Sequence, residues 1–291
     1  MPTSASDTQP WRGMSREVLE SQYRLVNHPD RDPAYARLAA ESDAARRSLR
    51  WHPVGYGDHP RERIELFEGA AGAPVLAFVH GGYWRGLEME MFSCVAQPFV
   101  AKGFWVANIE YPLAPEASVS EITRSCFRAL RKASSEVTQR GGRGSEMVVS
   151  GHSAGGHIAA AAMAADRHIR GEAPISLLGS VPISGLFDLE PIRQISLNDT
   201  LRMDAEEALR LSPARSVAPA MPPVVAAVGG DETDEFKRQS EDYAARLAAA
   251  GNHARTLIVQ GRNHFTILDA LCDPQSALFA ATLALLSADL T

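Results

Sequence analysis

Met147-Val148-Val149-Ser150-Gly151-His152-Ser153-Ala154-Gly155-Gly156-His157-Ile158 is the stretch on which the fold turns. Its opening residues are a short, mostly apolar run that reads as a buried strand. Its closing residues lead into an alanine-rich segment that reads as helix. Between the two lies the pattern G-x-S-x-G. A strand, a tight turn and a helix with serine at the apex make a nucleophile elbow. The glycines have a physical role there. The serine is held in a strained backbone conformation, and side chains beside it would collide with the neighbouring strand and helix. The helix that starts behind the serine points free N–H groups at negative charge forming nearby.

Strand and helix patterns alternate outward from this turn. On its N-terminal side, residues 63–67 alternate as a half-buried strand. Residues 74–80 are a continuous apolar run, as in a strand covered on both faces. A helix is expected around 89–101, a strand at 105–109, and a long helix at 119–139 with Ser118 as its N-cap. On the C-terminal side, strands are expected within 176–184, 223–229 and 255–259. A helix over 235–250 ends at Gly251, and the final helix spans 274–287. Before all of these, residues 15–26 have helical spacing with Val18, Leu19, Tyr23 and Leu25 on one stripe. Asp32-Pro33 opens a second helix to about residue 49, with Asp32 as N-cap. Such alternation predicts an α/β fold: a mostly parallel central sheet with helices on both faces and an N-terminal helical extension. Residues 1–55 are expected as a tail and helical extension forming a partial cap, and 56–291 as the catalytic domain. The segment 189–218 is long for a connection; it holds one expected helix at 204–211 and reads as part of a lid.

A serine hydroxyl is a poor nucleophile near neutral pH. It needs a base within hydrogen-bond reach and an acid that orients the base. In an open α/β sheet these groups collect at the carboxyl ends of strands. His264 follows the last expected strand, whereas His253 precedes it and falls at the opposite edge. Gly229-Gly230-Asp231-Glu232 follows a central strand, so Asp231 and Glu232 are the candidate acids. Asp234 and Glu235 suit the first turn of the following helix. His80-Gly81-Gly82-Tyr83-Trp84 follows the strand at 74–80, where an oxyanion loop belongs. Glycines there let backbone N–H groups approach developing charge, so Gly81, Gly82 and Ala154 are the candidate donors. Tyr83 and Trp84 either wall the site for a flat substrate or pack under the loop.

Composition narrows the alternatives. The 291 residues carry a formal net charge of −6, with 29 basic and 35 acidic side chains and no basic run. Nucleic acid is therefore not an expected partner. Cys94, Cys126 and Cys272 lie far apart with no C-x-x-C pair, as free buried thiols of a reducing compartment would. The polar first residues lack the apolar core of a signal peptide, and no apolar run reaches the ~20 residues of a membrane span. A cytoplasmic protein with no membrane contact is expected. His80, His152 and His157 read as packing or hydrogen-bonding residues; no H-E-x-x-H spacing occurs, and neither metal nor other cofactor is expected.

Four segments resemble the kynurenine formamidase (arylformamidase) family of α/β-hydrolases, near the hormone-sensitive-lipase-like esterases. They are His80–Trp84, Gly151–His157, Ser184-Gly185-Leu186-Phe187-Asp188-Leu189-Glu190-Pro191 and Glu235-Phe236-Lys237-Arg238-Gln239-Ser240. The resemblance implies the α/β-hydrolase fold, with Ser153 as nucleophile and His264 as base. The family's acid lies four residues before the phenylalanine of the last segment, which maps to Glu232. The animal enzymes have aspartate at that place, which leaves Asp231 as the rival. Tyr111-Pro112-Leu113-Ala114-Pro115-Glu116 is similar to the Y-R-L-A-P-E segment of related esterases, with proline in place of arginine, and reads as structural. The implied substrate is an N-formyl aryl amine such as N-formyl-L-kynurenine. A carboxylesterase or arylamidase acting on another small acyl compound is the alternative, and a non-catalytic binding protein a third reading. A homodimer is left open.

Overall fold

The apolar runs pair with one another to build the sheet. In the computed structural model, which describes residues 11–164 and 175–287, eight strands lie in the order β1-β2-β4-β3-β5-β6-β7-β8. These are β1 (Trp51–Gly55), β2 (Arg63–Phe67), β3 (Val75–Val79), β4 (Trp105–Ile109), β5 (Glu146–His152), β6 (Ser176–Ile183), β7 (Val224–Gly229) and β8 (Ala254–Val259). The strands from β4 through β8 are parallel, while β1 and β2 form an antiparallel edge beside β4. Parallel strands need covered faces, and here each face has its own core. Val75, Ala77 and Val79 point to one face, under the helices α4 (Val119–Gln139) and α5 (Ala154–Ala164) and the helix Asp234–Ala249. Leu76 and Phe78 point to the other. That face is closed by α3 (Ala96–Val100) and the helices Ile267–Cys272 and Ala277–Leu286. The period of two along β3 thus divides the molecule into its two layers.

Several boundaries follow from local chemistry. Ser118 accepts from the N–H of Glu121, and Glu121 reaches back to the N–H of Ser118, so α4 starts with a full capping box. Its face of Ile122, Cys126, Leu130, Ala133 and Val137 is buried as expected. The exposed face brings Arg124, Arg128 and Arg131 into one groove with Arg210, so arginines scattered in sequence converge in space. Gly251 takes a φ of 84°, the left-handed turn that ends the helix before it.

Other expectations need correcting. β1 pairs with β2 from Trp51 opposite Phe67 to Gly55 opposite Arg63. The sheet therefore begins before residue 56, and a boundary between 55 and 56 cuts it. The strand carries a proline, a glycine and one buried residue, Val54, which suits an edge and leaves little periodicity to read. The helix α2 (Arg31–Ser48) starts after Asp30, so Asp32 lies in its first turn and not at its cap. In α1 (Arg16–Tyr23), Leu19 and Tyr23 are buried but Val18 is 48% exposed. Residues 189–218 hold three short α-helices, Glu190–Arg193, Asn198–Leu201 and Ala205–Arg210, and a 3₁₀ turn, Pro213–Arg215, where one helix was expected. No helix among the described residues is long and apolar enough to cross a membrane.

Candidate active site

Ser153 stands between the end of β5 and the start of α5, with a φ of 56°. A residue with a Cβ resists that region of backbone space, at a cost of about 1–3 kcal/mol. The surroundings hold it there. Its N–H donates to the Ile183 carbonyl at 2.8 Å and its carbonyl accepts from the His157 N–H at 3.0 Å. A Cβ on Gly155 would overlap the Val79 carbonyl oxygen, so the helix can approach β3 this closely only with glycine there. Tyr83, Trp84, Leu87 and Ser184 also hold positive φ. Backbone strain thus gathers around one end of the sheet.

His264 lies in the loop after β8. Its Nδ1 is 2.7 Å from Glu232 Oε2. The other carboxylate oxygen of Glu232 accepts from Ser184 Oγ at 2.5 Å and from the Gly229 N–H at 2.8 Å. Glu232 is buried, whereas Asp231 is exposed and only its backbone N–H is engaged, by the Arg262 carbonyl. Of the two candidate acids, Glu232 is the one beside the imidazole. With Nδ1 engaged, Nε2 is the nitrogen left for Ser153, and both residues line the same cavity. The His264 ring packs between Phe236 and His152, with centroids at 4.5 and 4.6 Å. Burial, reinforced by the neighbouring His264, holds the His152 ring well below the ordinary histidine range. A neutral His152 avoids a second charge beside a protonated base.

The glycine loop His80–Trp84, the candidate oxyanion loop, is fixed from behind by Tyr111. Its hydroxyl lies 2.9 Å from the His80 carbonyl oxygen and 3.0 Å from that of Gly81. In a trans peptide the N–H opposes the preceding C=O. Holding both carbonyls therefore turns the N–H groups of Gly81 and Gly82 away from the buried phenol. Gly82 has a φ of 110° and lines the cavity, and a Cβ on Gly81 would stand 3.2 Å from that of Ser153. The Ala154 N–H opens α5, in the turn where helix donors have no intrahelical acceptor. Behind the loop, His80 stacks on Tyr111 at 4.3 Å and reaches Glu110 through Nε2 at 2.9 Å. Burial pushes the Glu110 carboxyl up, but the His80 contact and the N–H groups of Met89 and Tyr111 outweigh it, and the group lies below its usual range. The Y-P-L-A-P-E segment therefore shapes the site as well as the chain path. Tyr111→Phe is expected to lower kcat by roughly 10- to 100-fold, with KM little changed, by loosening two peptide planes. Steady-state kinetics beside a melting curve checks this, and an unaltered kcat would remove the hydroxyl from the site.

Tyr83 and Trp84, read either as an aromatic wall or as packing under the loop, part company. Tyr83 lines the cavity and donates to the Tyr23 carbonyl at 2.7 Å. Trp84 is fully buried under the loop, edge-on to His157 at 5.1 Å, and forms no part of the lining. Both residues hold positive φ, 50° and 56°, and in so tight a turn successive side chains diverge, so only one of the two neighbours faces the cavity. The site also has residues that sequence reasoning missed. Tyr23, Tyr35 and Phe265 line the cavity of ≈ 710 Å³ beside Tyr83, with Arg24 and Arg85 at its walls. α1 is pinned there from two sides. Glu20 accepts from Ser196 N–H at 2.9 Å, and Tyr23 Oη donates to Glu235 at 2.9 Å. Gln239 joins the family-like segments to each other: its Oε1 accepts from the N–H groups of Phe187 and Asp188, and its Nε2 donates to Tyr23. Among the described residues, no three His, Cys, Asp or Glu side chains group to hold a metal ion.

His157 couples this region to pH. Burial lowers it from 6.5 to about 4, and the contact from Nε2 to the Leu211 carbonyl, 2.8 Å, only partly offsets this. In the unfolded chain the ring takes a proton near pH 6.5, before the folded one does. The stability it contributes is thus full above that pH and falls as pH drops toward about 4, by about 3 kcal/mol in total. His152 acts in the same direction. Urea unfolding compared near neutrality and near pH 4.5 should show this loss, and His157→Gln should shrink it; an equal loss in both proteins would assign it elsewhere.

A strained serine, a histidine held by a carboxylate and a glycine loop at the carboxyl ends of a mostly parallel sheet define an α/β-hydrolase. The family model of the alpha/beta hydrolase fold matches residues 76–268. Kynurenine formamidase of Danio rerio is 30% identical over 90% of this chain and 94% of its own length, and that of Salmo salar 29% over the same shares. A proposed thioesterase from Silicibacter sp. tm1040 has the same fold, with a TM-score of 0.80, 32% identity and coverage of 91% of this chain and 99% of the other. An esterase of Pyrobaculum calidifontis, at 18% identity and a TM-score of 0.71, shares the fold over 95% of this chain and 98% of its own. The chain is a hydrolase and belongs to the kynurenine formamidase family of α/β-hydrolases.

Proposed function

We propose that this enzyme hydrolyses the formamide of an N-formyl aryl amine such as N-formyl-L-kynurenine, releasing formate and the free amine. The observation that carries the reading is the cavity itself: Ser153 and His264 open on a space walled by Tyr23, Tyr35, Tyr83 and Phe265, with Arg24 and Arg85 beside them. Aromatic faces suit an aryl leaving group, and a guanidinium suits the α-carboxylate of its amino-acid moiety. The relatives' substrate class and the family segments point the same way. In this reading Ser153 Oγ attacks the formyl carbon while His264 Nε2 takes its proton. Glu232 holds His264 in the tautomer that leaves Nε2 free and stabilises its charged form. N–H groups of Gly81, Gly82 and Ala154 hold the tetrahedral oxygen. His264 then protonates the departing nitrogen, and water releases formate from the formyl-serine. The formyl group offers little to recognise, so selectivity rests on the leaving-group side.

A second reading, hydrolysis of a short acyl ester or thioester, is favoured by the 32% identity to the Silicibacter protein. The same catalytic groups serve both, because the tetrahedral intermediates are alike. A panel of N-formylkynurenine, simple formanilides, p-nitrophenyl esters and acyl thioesters separates them. The formamide reading expects the highest kcat/KM on N-formylkynurenine. Efficient ester or thioester turnover with negligible formamide turnover would replace it by the second.

A further inference from the structure

Cys94 and Cys272 are separated by 178 positions in sequence, yet their Sγ atoms lie 3.9 Å apart. Both are free, and both line a surface cavity of ≈ 660 Å³ that shares no residue with the catalytic one. Cys94 is in the 3₁₀ turn Met89–Val95, and its N–H donates to Ser42 Oγ of α2 at 3.0 Å. Cys272 ends the helix Ile267–Cys272, which begins three residues after His264. Cys126 is on the opposite layer of the sheet, in the core under α4, and cannot join them. Cys94 is buried and Cys272 partly exposed, and the two thiols at near van der Waals contact sit together in the wall of that cavity, an arrangement that favours reaction between them.

We propose that Cys94 and Cys272 form an oxidation site for a small hydroperoxide, closing to an intramolecular disulfide. The S–H of Cys272 is directed at the Cys94 sulfur, and this hydrogen bond draws the Cys94 thiol below its ordinary range although burial opposes it. Cys94 is accordingly the attacking thiolate. Its sulfur takes the terminal peroxide oxygen, the O–O bond breaks, and hydroxide or alkoxide leaves and is protonated by solvent. The sulfenic acid on Cys94 is then attacked by the Cys272 sulfur. The S–O bond breaks, water leaves, and the Cys272 proton passes to solvent or to the leaving hydroxide. Two thiols lose two electrons and the peroxide gains them, so the sum is one disulfide, water, and a second water or an alcohol. The sulfurs must close by roughly 2 Å to reach bonding distance, which side-chain rotation and a small shift of the 3₁₀ turn can supply. The bond would fasten that turn and α2 to the helix behind the base loop.

The test treats the full-length reduced protein with a slight excess of hydrogen peroxide. Expected is a monomer lighter by about 2 Da, with one crosslinked peptide pair carrying Cys94 and Cys272, reversed by dithiothreitol. The oxidised form should melt higher by on the order of 5 °C. Cys272→Ser should trap a sulfenic acid on Cys94 that reacts with dimedone, whereas Cys126→Ser should behave as the unaltered protein. Separate over-oxidation of the two sulfurs, a disulfide between two chains, or no reaction at Cys94 in the Cys272→Ser variant would overturn the proposal. The unaltered protein alone decides the crosslink, so the result stands even if a variant folds poorly.

Discussion

Ser153→Ala is expected to lower turnover by roughly 10⁴- to 10⁶-fold while the melting curve stays close to that of the parent. The magnitude follows from the role proposed for the hydroxyl: without it no acyl-enzyme forms, and only the oxyanion donors and substrate positioning remain to help water. The fold should tolerate the change for a structural reason. The strain at φ 56° is borne by the backbone hydrogen bonds to Ile183 and His157 and by the close approach of Gly155 to β3. None of these needs the side-chain oxygen, and alanine meets the same cost in that backbone region as serine. Two readouts keep the result clean. Turnover of the best substrate in the panel measures the chemistry, and labelling by a fluorophosphonate probe measures the nucleophile without reference to the substrate. A variant that still labels, or that keeps a tenth of the parent turnover, would place the nucleophile elsewhere.

How much of this could be read from sequence depends on whether the signal is local. The elbow is local: a strand, a glycine-flanked serine and a helix must be contiguous to work, and they are contiguous in the chain. The same holds for the Ser118 capping box and for the continuous apolar runs that became β3 and β7. Signals failed where the structure uses distant partners. Tyr23 reads as one apolar position on a short stripe, and only folding brings it over the loop that carries Tyr83. Ser184 reads as the last residue of a strand, and its hydroxyl against Glu232 arises from the neighbourhood of β6 and β7. Cys94 and Cys272 have no spacing to notice at all. Adjacency leaves Trp84 open between wall and packing, and the geometry of the loop buries it. β1 was hidden because an edge strand with one buried residue has almost no pattern to display. The family segments at 184–191 and 235–240 gain a physical meaning here: through Gln239 they bind each other and, through Ser184, the Glu232 carboxylate that holds His264.

That carboxylate supplies the second large effect, because Glu232→Gln should cost about 10⁴-fold in kcat although it changes a single atom. One carboxylate oxygen accepts from both the Gly229 N–H and the Ser184 hydroxyl. An amide nitrogen cannot accept, so the glutamine must place its carbonyl oxygen there. Its NH₂ is then left facing His264 Nδ1, at the position where the carboxylate stood 2.7 Å away. The NH₂ donates to Nδ1 and drives the ring proton to Nε2, the nitrogen that has to receive the serine proton. The base is present, correctly placed, and in the wrong tautomer. Glu232→Gln should therefore lose the downfield proton resonance of an imidazole–carboxylate hydrogen bond together with its activity. Asp231→Asn should stay within about twofold of the parent, since that side chain is exposed and charge changes of exposed groups are screened. Glu232→Asp, which keeps the charge but shortens the reach by one methylene, should fall between the two. Substantial activity in Glu232→Gln, or its loss in Asp231→Asn, would move the acid one residue back along the chain and with it the register on which the site is built.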